Sequence, residues 1–310
     1  MDQSIYRYAD IGLIHFMAYP QCIRGEGPIL ETLTEIVEDA FFTAVEVTRI
    51  KDPQVRKDAA KLLAQSGMRV AFGAQPALLT QKLSLCTLDE AARRTAVDQI
   101  KECIDQAYEL GAGGLAVLSG PAPADPSRYG EATDRLVDSL LELCAHSAAA
   151  GSMPIVLETF DRVPYGKNAL VGPTAEAVAR SELIRAQYPS FGLMLDLSHA
   201  PLLGETSADM VGTGAKHLVH AHIGNCVMRD PAHPAYGDEH PRFGVEGGEN
   251  GVAELAVFLQ ELLRVGFMNP ERPPIVSFEV KPITAWGETT GVVVANAKRA
   301  LQQAWAKVQP

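Results

Sequence analysis

The chain has 310 residues, 47% hydrophobic and 21% charged, which is enough apolar material for a sizeable core in a globular protein. Its 38 acidic against 27 basic side chains leave a net charge of −11, and that balance excludes a nucleic-acid partner held through its phosphates. No CxxC pair occurs among the five cysteines, no apolar run reaches the roughly 18 residues of a membrane span, and the chain starts with the polar "MDQSIYRYAD". A cytoplasmic protein with no membrane partner is expected.

Taken in chain order, β-branched apolar runs recur at 11–19 ("IGLIHFMAY"), 44–50, 69–76, 114–121, 154–161, 191–199, 217–225 and 274–282. They are continuous and do not alternate, as suits strands buried on both faces of a parallel sheet. The intervals carry helical periodicity. The clearest begins at Asp89, with Ala92, Ala96, Ile100, Cys103, Ile104 and Ala107 at threes and fours before the stop "LGAGG". Others run over 252–267 and through "GVVVANAKRALQQAWAKV"; the interval 203–216 holds at most a short helix. Eight strands alternating with eight helical intervals predict an α/β fold, a single (β/α)8 TIM barrel over residues 1–310. A doubly wound sheet is the main alternative, and no GxGxxG follows the first strand to support it.

The longest irregular stretch, 225–250, reads "NCVMRDPAHPAYGDEHPRFGVEGGEN". It follows strand seven, so it is expected as an active-site loop insertion on the C-terminal face of the barrel.

The last residues of strands five to eight carry the chemistry. Strand five ends with Glu158, strand six with Asp196 and His199, strand seven with His220 and His222, and strand eight with Glu279 and Lys281. An ionisable group inside an apolar strand is costly to bury unless it is paired or metal-bound. Two glutamates, an aspartate and an imidazole form an oxygen-rich set that suits Mn²⁺, Mg²⁺ or Co²⁺ better than a structural zinc.

This E…D…H…E series, with DxxH on strand six and HxHxG on strand seven, resembles the xylose isomerase-like barrel superfamily, the sugar phosphate isomerase/epimerase family, over essentially the whole chain. The resemblance implies one divalent metal ion, Mn²⁺ foremost, on Glu158, Asp196, His222 and Glu279, with His199 on the substrate. It implies an isomerase or epimerase of a ketose or related sugar, working by alpha-proton abstraction through an enediolate, with Glu158, Glu279 and His199 as the catalytic groups. His220, one layer deeper on the same face of the strand as His222, is read as a hydrogen-bonded core histidine, and His217 as structural.

Further substrate contacts are expected from His15, Glu46, His240 and Arg242. The ketose epimerases usually carry an arginine shortly after the strand-seven histidine; here Arg229 and Arg242 come later. The loop "YGDEHPRFG" suggests a larger substrate met by Asp238, His240 and Arg242, or else a bracing salt bridge. "SG" at Ser119–Gly120 either leaves room for a ligand or makes a turn, and Cys226 is read as inert. The alternative function is a lyase acting by β-elimination on a keto-sugar or 3-keto-glycoside, as in the similar inosose dehydratases and C-glycoside deglycosidases. The partner is then a small-molecule sugar, with a homo-oligomer expected, or a hetero-oligomer for the lyase. A repair nuclease resembling endonuclease IV would need more metal-binding histidines and a basic groove. A non-enzymatic sugar-binding subunit would leave the whole ligand set vestigial.

Overall fold

Each apolar run supplies one short parallel strand, and the eight strands close on themselves. The structure, a computed structural model, describes residues 1–162 and 164–309. The strands are β1 (Asp10–Ile14), β2 (Ala44–Val47), β3 (Arg69–Gly73), β4 (Ala112–Val117), β5 (Ile155–Glu158), β6 (Gly192–Asp196), β7 (Leu218–Gly224) and β8 (Ile275–Glu279). They pair in sequence order, and β1 closes the barrel on β8. This is the expected (β/α)8 TIM barrel. A Cβ at Gly12 would come within 2.3 Å of Ser277 Oγ, so glycine there permits the β1–β8 closure.

The outer layer is α1 (Ile29–Val37), α2 (Pro53–Ser66), α3 (Glu90–Glu109), α4 (Tyr129–Ala150), α5 (Thr174–Arg185), α6 (Ser207–Gly214), α7 (Val252–Arg264) and α8 (Thr290–Trp305). Asp52, Asp89, Thr206 and Thr289 cap α2, α3, α6 and α8 by accepting backbone N–H groups. On α3 the expected core face holds from Ala96 to Ala107, but Ala92 is exposed. Arg93 is buried beside it, on Glu90, Glu142 and Ser139. Among the described residues no helix is long and apolar enough to cross a membrane.

The strands are shorter than the apolar runs. The runs at 11–19 and 191–199 leave the sheet after Ile14 and Asp196, and the chain turns at once into the short helices His15–Ala18 and His199–Leu203. An apolar run reads the same in both states, so only the tertiary context ends the strand. His15 therefore opens a helix and does not lie on strand one.

Inside the barrel several of the side chains below the strand ends are alanines. Ala44, Ala71 and Ile275 form one cluster and Ala116, Val156 and Met194 another, both separate from the main core between sheet and helices. Barrels of this type are usually filled by layers of bulky residues. Here a cavity of about 920 Å³ rises from the N-terminal face to Glu46 and His220. A dry void of that size would cost roughly 20 kcal/mol, more than a domain's whole stability of about 5–15 kcal/mol. It is therefore a chamber open to solvent.

Candidate functional site

The strand ends bring Glu158, Asp196, His222 and Glu279 together, one ligand-type atom from each within 4.8 Å of the others. Asp196 lies level with His222, and Glu279 with Gly224. His222 Nδ1 is 2.8 Å from Glu279 Oε2 and 3.5 Å from Glu158 Oε1. Its other nitrogen, Nε2, lies 3.1 Å from Glu46 Oε1, which also takes His220 Nε2 at 2.6 Å. A carboxylate only accepts, so both imidazoles donate to Glu46, and this anchors His222 with Nδ1 facing the cluster. His220 is thus a hydrogen-bonded support. Ser198 holds Asp196 through both its N–H (2.9 Å) and its hydroxyl. Gln75 Nε2 donates to Glu158 Oε2 at 2.7 Å, while the buried Glu158 Oε1 has no hydrogen-bond partner.

The cluster gathers negative charge away from water. Burial pushes the Glu158 carboxyl up, and the Glu279 charge pushes it further. Burial works the same way on Glu279, but His240 and His222 outweigh it and hold that carboxyl at about 2. The His222 imidazole is held well above its ordinary range because Glu46, Glu158 and Glu279 overcome its burial. Three carboxylates, an imidazole and an unpartnered buried oxygen fit a hard divalent cation. Two neighbouring groupings share members with this set: Glu46 with His220 and His222, and Asp196 with His199 and His240.

Above the cluster, Asp238 is the hub. Its Oδ1 lies 3.1 Å from His199 Nε2 and 2.8 Å from His240 Nε2, and its Oδ2 pairs with Lys167. Burial opposes the Asp238 charge, yet these three cations keep its carboxyl well below the usual range. His199 is raised to about 10, its burial overcome by Asp238 and Asp196. His199 Nδ1 is 3.9 Å from Glu158 Oε1 and is likewise unpartnered, and its ring packs on Phe160. His240 reaches Glu279 Oε1 at 3.3 Å.

Other expected contacts lie apart from this set. Arg242 pairs with Glu288 at 2.8 Å and Arg229 with Glu249 at 2.7 Å, so both brace the loop. His15 Nε2 donates to Thr32 Oγ1 at 2.7 Å, and burial lowers its imidazole to about 3. His217 bonds Ser181. Ser119 and Gly120 lie in irregular backbone after β4 that bonds across to Leu170, with Gly120 at φ 94° against Ser84. Cys226 is buried and its thiol is pushed up by that burial.

Residues 225–250 hold neither helix nor strand but are firmly built. Asn225 and Asn250 pin both ends: Asn250 Nδ2 donates to the Leu197 and Gly224 carbonyls and its N–H to Asn225 Oδ1. Val227, Ala235 and Val245 pack with Ile283 in a small core of their own. The β5–α5 connection meets this stretch through Lys167 and Asp238 and through the rings of Tyr165 and Tyr236. Gly237 (φ 84°) lets the two backbones approach, since a Cβ would sit 2.5 Å from Tyr165 O. The four cluster residues are buried beneath, each at most 9% exposed.

Sequence reading passed over Gln75 and Lys167. Gln75 had a local signal, a polar residue at the end of the apolar run "RVAFGAQP". Lys167 had none, because only the fold brings it to Asp238.

Residues 35–289 match the family described as xylose isomerase-like TIM barrel. No curated protein matches the chain. Among solved structures, an L-ribulose 3-epimerase is 20% identical with a TM-score of 0.72, covering 96% of each chain. A D-psicose 3-epimerase with D-tagatose from Clostridium cellulolyticum H10 is 16% identical, TM-score 0.70, covering 97% of this chain and all (100%) of that one. The IolI protein with a bound zinc atom is 16% identical, TM-score 0.73, covering 97% and 99%.

Proposed function

The chain belongs to the xylose isomerase-like TIM barrel family, and from that premise we propose that it is a divalent-metal-dependent isomerase or epimerase of a ketose or related sugar. The similar structures named for sugar 3-epimerases support this substrate class. The observation that carries it is the convergence of Glu158 and Glu279, from strands separated by two others, on one buried cluster with Asp196 and His222.

Glu158, Asp196, His222 and Glu279 would hold the ion, Mn²⁺ in our reading, with Mg²⁺ or Co²⁺ as substitutes. The bound cation would supply Lewis-acid stabilisation of charge on the substrate oxygens. The protein's own groups do the rest. Glu46 keeps the proton on His222 Nε2 and so leaves Nδ1 for the ion. Glu158, with one oxygen held by Gln75 and the other unpartnered, has a lone pair to receive a proton alpha to a carbonyl. Glu279, on the far strand, flanks the opposite face of the sugar as the second acid–base group. His199, held by Asp238, faces the same space and orients substrate oxygens. The stretch 225–250 and the Lys167–Asp238 contact cover the cluster, so we read that stretch as an active-site loop that excludes water during proton transfer.

The test is turnover of keto-sugars in D₂O with Mn²⁺, followed by proton NMR. Interconverted sugars with deuterium at the carbon alpha to the carbonyl are expected. Product that has lost water or an aglycone would transfer the site to β-elimination, and no exchange with any keto-sugar would overturn the reading.

A further inference from the structure

The chamber beneath the cluster has a chemistry of its own. Its roof is Glu46 and His220, its walls include Ala71, Ala116, Val156 and Met194, and its mouth on the N-terminal face holds Arg69, Arg185 and Arg272. In a chain of net charge −11, Glu46 is the acidic side chain among the lining residues, and His220 and His222 already occupy it. Arg69 is held by Asp10 and the Pro273 carbonyl, and Arg185 by the Lys216 carbonyl. Arg272 makes no side-chain bond among the described residues. The mouth is therefore cationic.

The roof presents a ring nitrogen, His220 Nδ1, on the chamber side of the Glu46 contact. His220 donates from Nε2 to Glu46, and its ring, with a side chain only 10% exposed, has no other hydrogen-bond partner among the described residues. The mouth lies one short step below it. Glu46 is level with Ala71, and Arg69 lies two residues lower on the same strand, about 7 Å at ~3.3 Å per residue. Glycine keeps the wall open: a Cβ at Gly114 would meet nothing nearer than 3.8 Å, so crowding does not require glycine there.

We propose that this chamber is a second ligand site that takes a small hydroxy acid. The carboxylate sits among the mouth arginines, a compact apolar body lies between Ala116 and Met194, and the hydroxyl hydrogen-bonds His220 Nδ1. Arginine clusters recognise carboxylates through paired N–H donors, and apolar walls with a few placed polar groups are the ordinary anatomy of a small-molecule site. The site goes beyond the sugar reading and does not depend on it, because it is reached from the opposite face of the barrel.

Isothermal titration of the whole protein with 4-hydroxybenzoate, which carries a carboxylate and a hydroxyl at opposite ends of a compact apolar ring, tests the assignment. One equivalent should bind, and benzoate, lacking the hydroxyl, should bind at least ~10-fold more weakly. Gly114→Leu, which puts a branched side chain into the chamber wall, should weaken binding. Arg185→Gln with Arg272→Gln, both at the solvent-facing mouth, should weaken it at least ~10-fold, and this variant decides the matter if Gly114→Leu does not fold. Removing divalent ions with a chelator, or adding a sugar that turns over, should leave the affinity unchanged. No binding at millimolar concentration, binding that survives the mouth variant, or displacement by the sugar would each overturn the proposal.

Discussion

The two halves of the barrel mouth differ in what their strand ends hold. Strands β5 to β8 contribute Glu158, Asp196, His222 and Glu279, which meet in one cluster. The ends of β1 to β4 contribute supports. His15 turns away to Thr32, Gln75 donates to Glu158, and Ser119 bonds backbone at Gly120 and Val171. Glu46 crosses the barrel to hold His220 and His222. One half carries the clustered charge that we propose holds an ion, and the other carries neutral groups and one carboxylate that brace it. A strand-end polar residue is therefore not a site residue by position alone. The contrast is sharpest between Glu158, whose buried Oε1 has no partner, and Ser119, whose Oγ bonds both Gly120 O and Val171 N.

Breaking the charged half should have the largest effect. Glu158→Gln or Glu279→Gln keeps the volume and an oxygen but removes a proton acceptor. Turnover of the keto-sugar should fall at least ~10²-fold in each variant, with the circular dichroism spectrum unchanged. Wild-type turnover in both, with metal bound, would show that neither is the base.

The neutral half offers a smaller, pH-dependent test. Burial lowers the His15 imidazole from 6.5 to about 3. Between those values the unfolded chain takes a proton that the folded chain refuses, so the stability due to neutral His15 is intact above about 6.5 and is lost as pH falls toward 3. The slope is about 1.4 kcal/mol per pH unit for one proton. His15→Gln removes this contribution. In urea titrations from pH 6.5 downward the wild type should lose stability more steeply than the variant. Parallel curves would place His15 with the charged half.

Much of this was legible from sequence because the barrel repeats a simple pattern. Continuous apolar runs gave eight strands in the right places, and the ionisable residues closing the last four marked the cluster. Strand ends were less legible, since "IGLIHFMAY" is equally apolar as strand and as helix, and His15 was placed on β1 for that reason. The part played by Glu46 depends on a contact across 176 residues to His222, and the Asp238 hub on contacts to Lys167 and His199, 71 and 39 residues away. No local spacing encodes these. In "YGDEHPRFG" Arg242 pairs with Glu288 and Asp238 with Lys167, while His240 reaches Glu279.

The most direct test of the central claim, that the charged half is built around one divalent ion, is titration of chelator-treated protein with Mn²⁺ by calorimetry, repeated with Asp196→Ala. The account predicts one equivalent bound at micromolar affinity or tighter in the wild type and a loss of at least ~10-fold in the variant. An absence of binding by any divalent ion at micromolar concentration, or binding that Asp196→Ala leaves untouched, would contradict it.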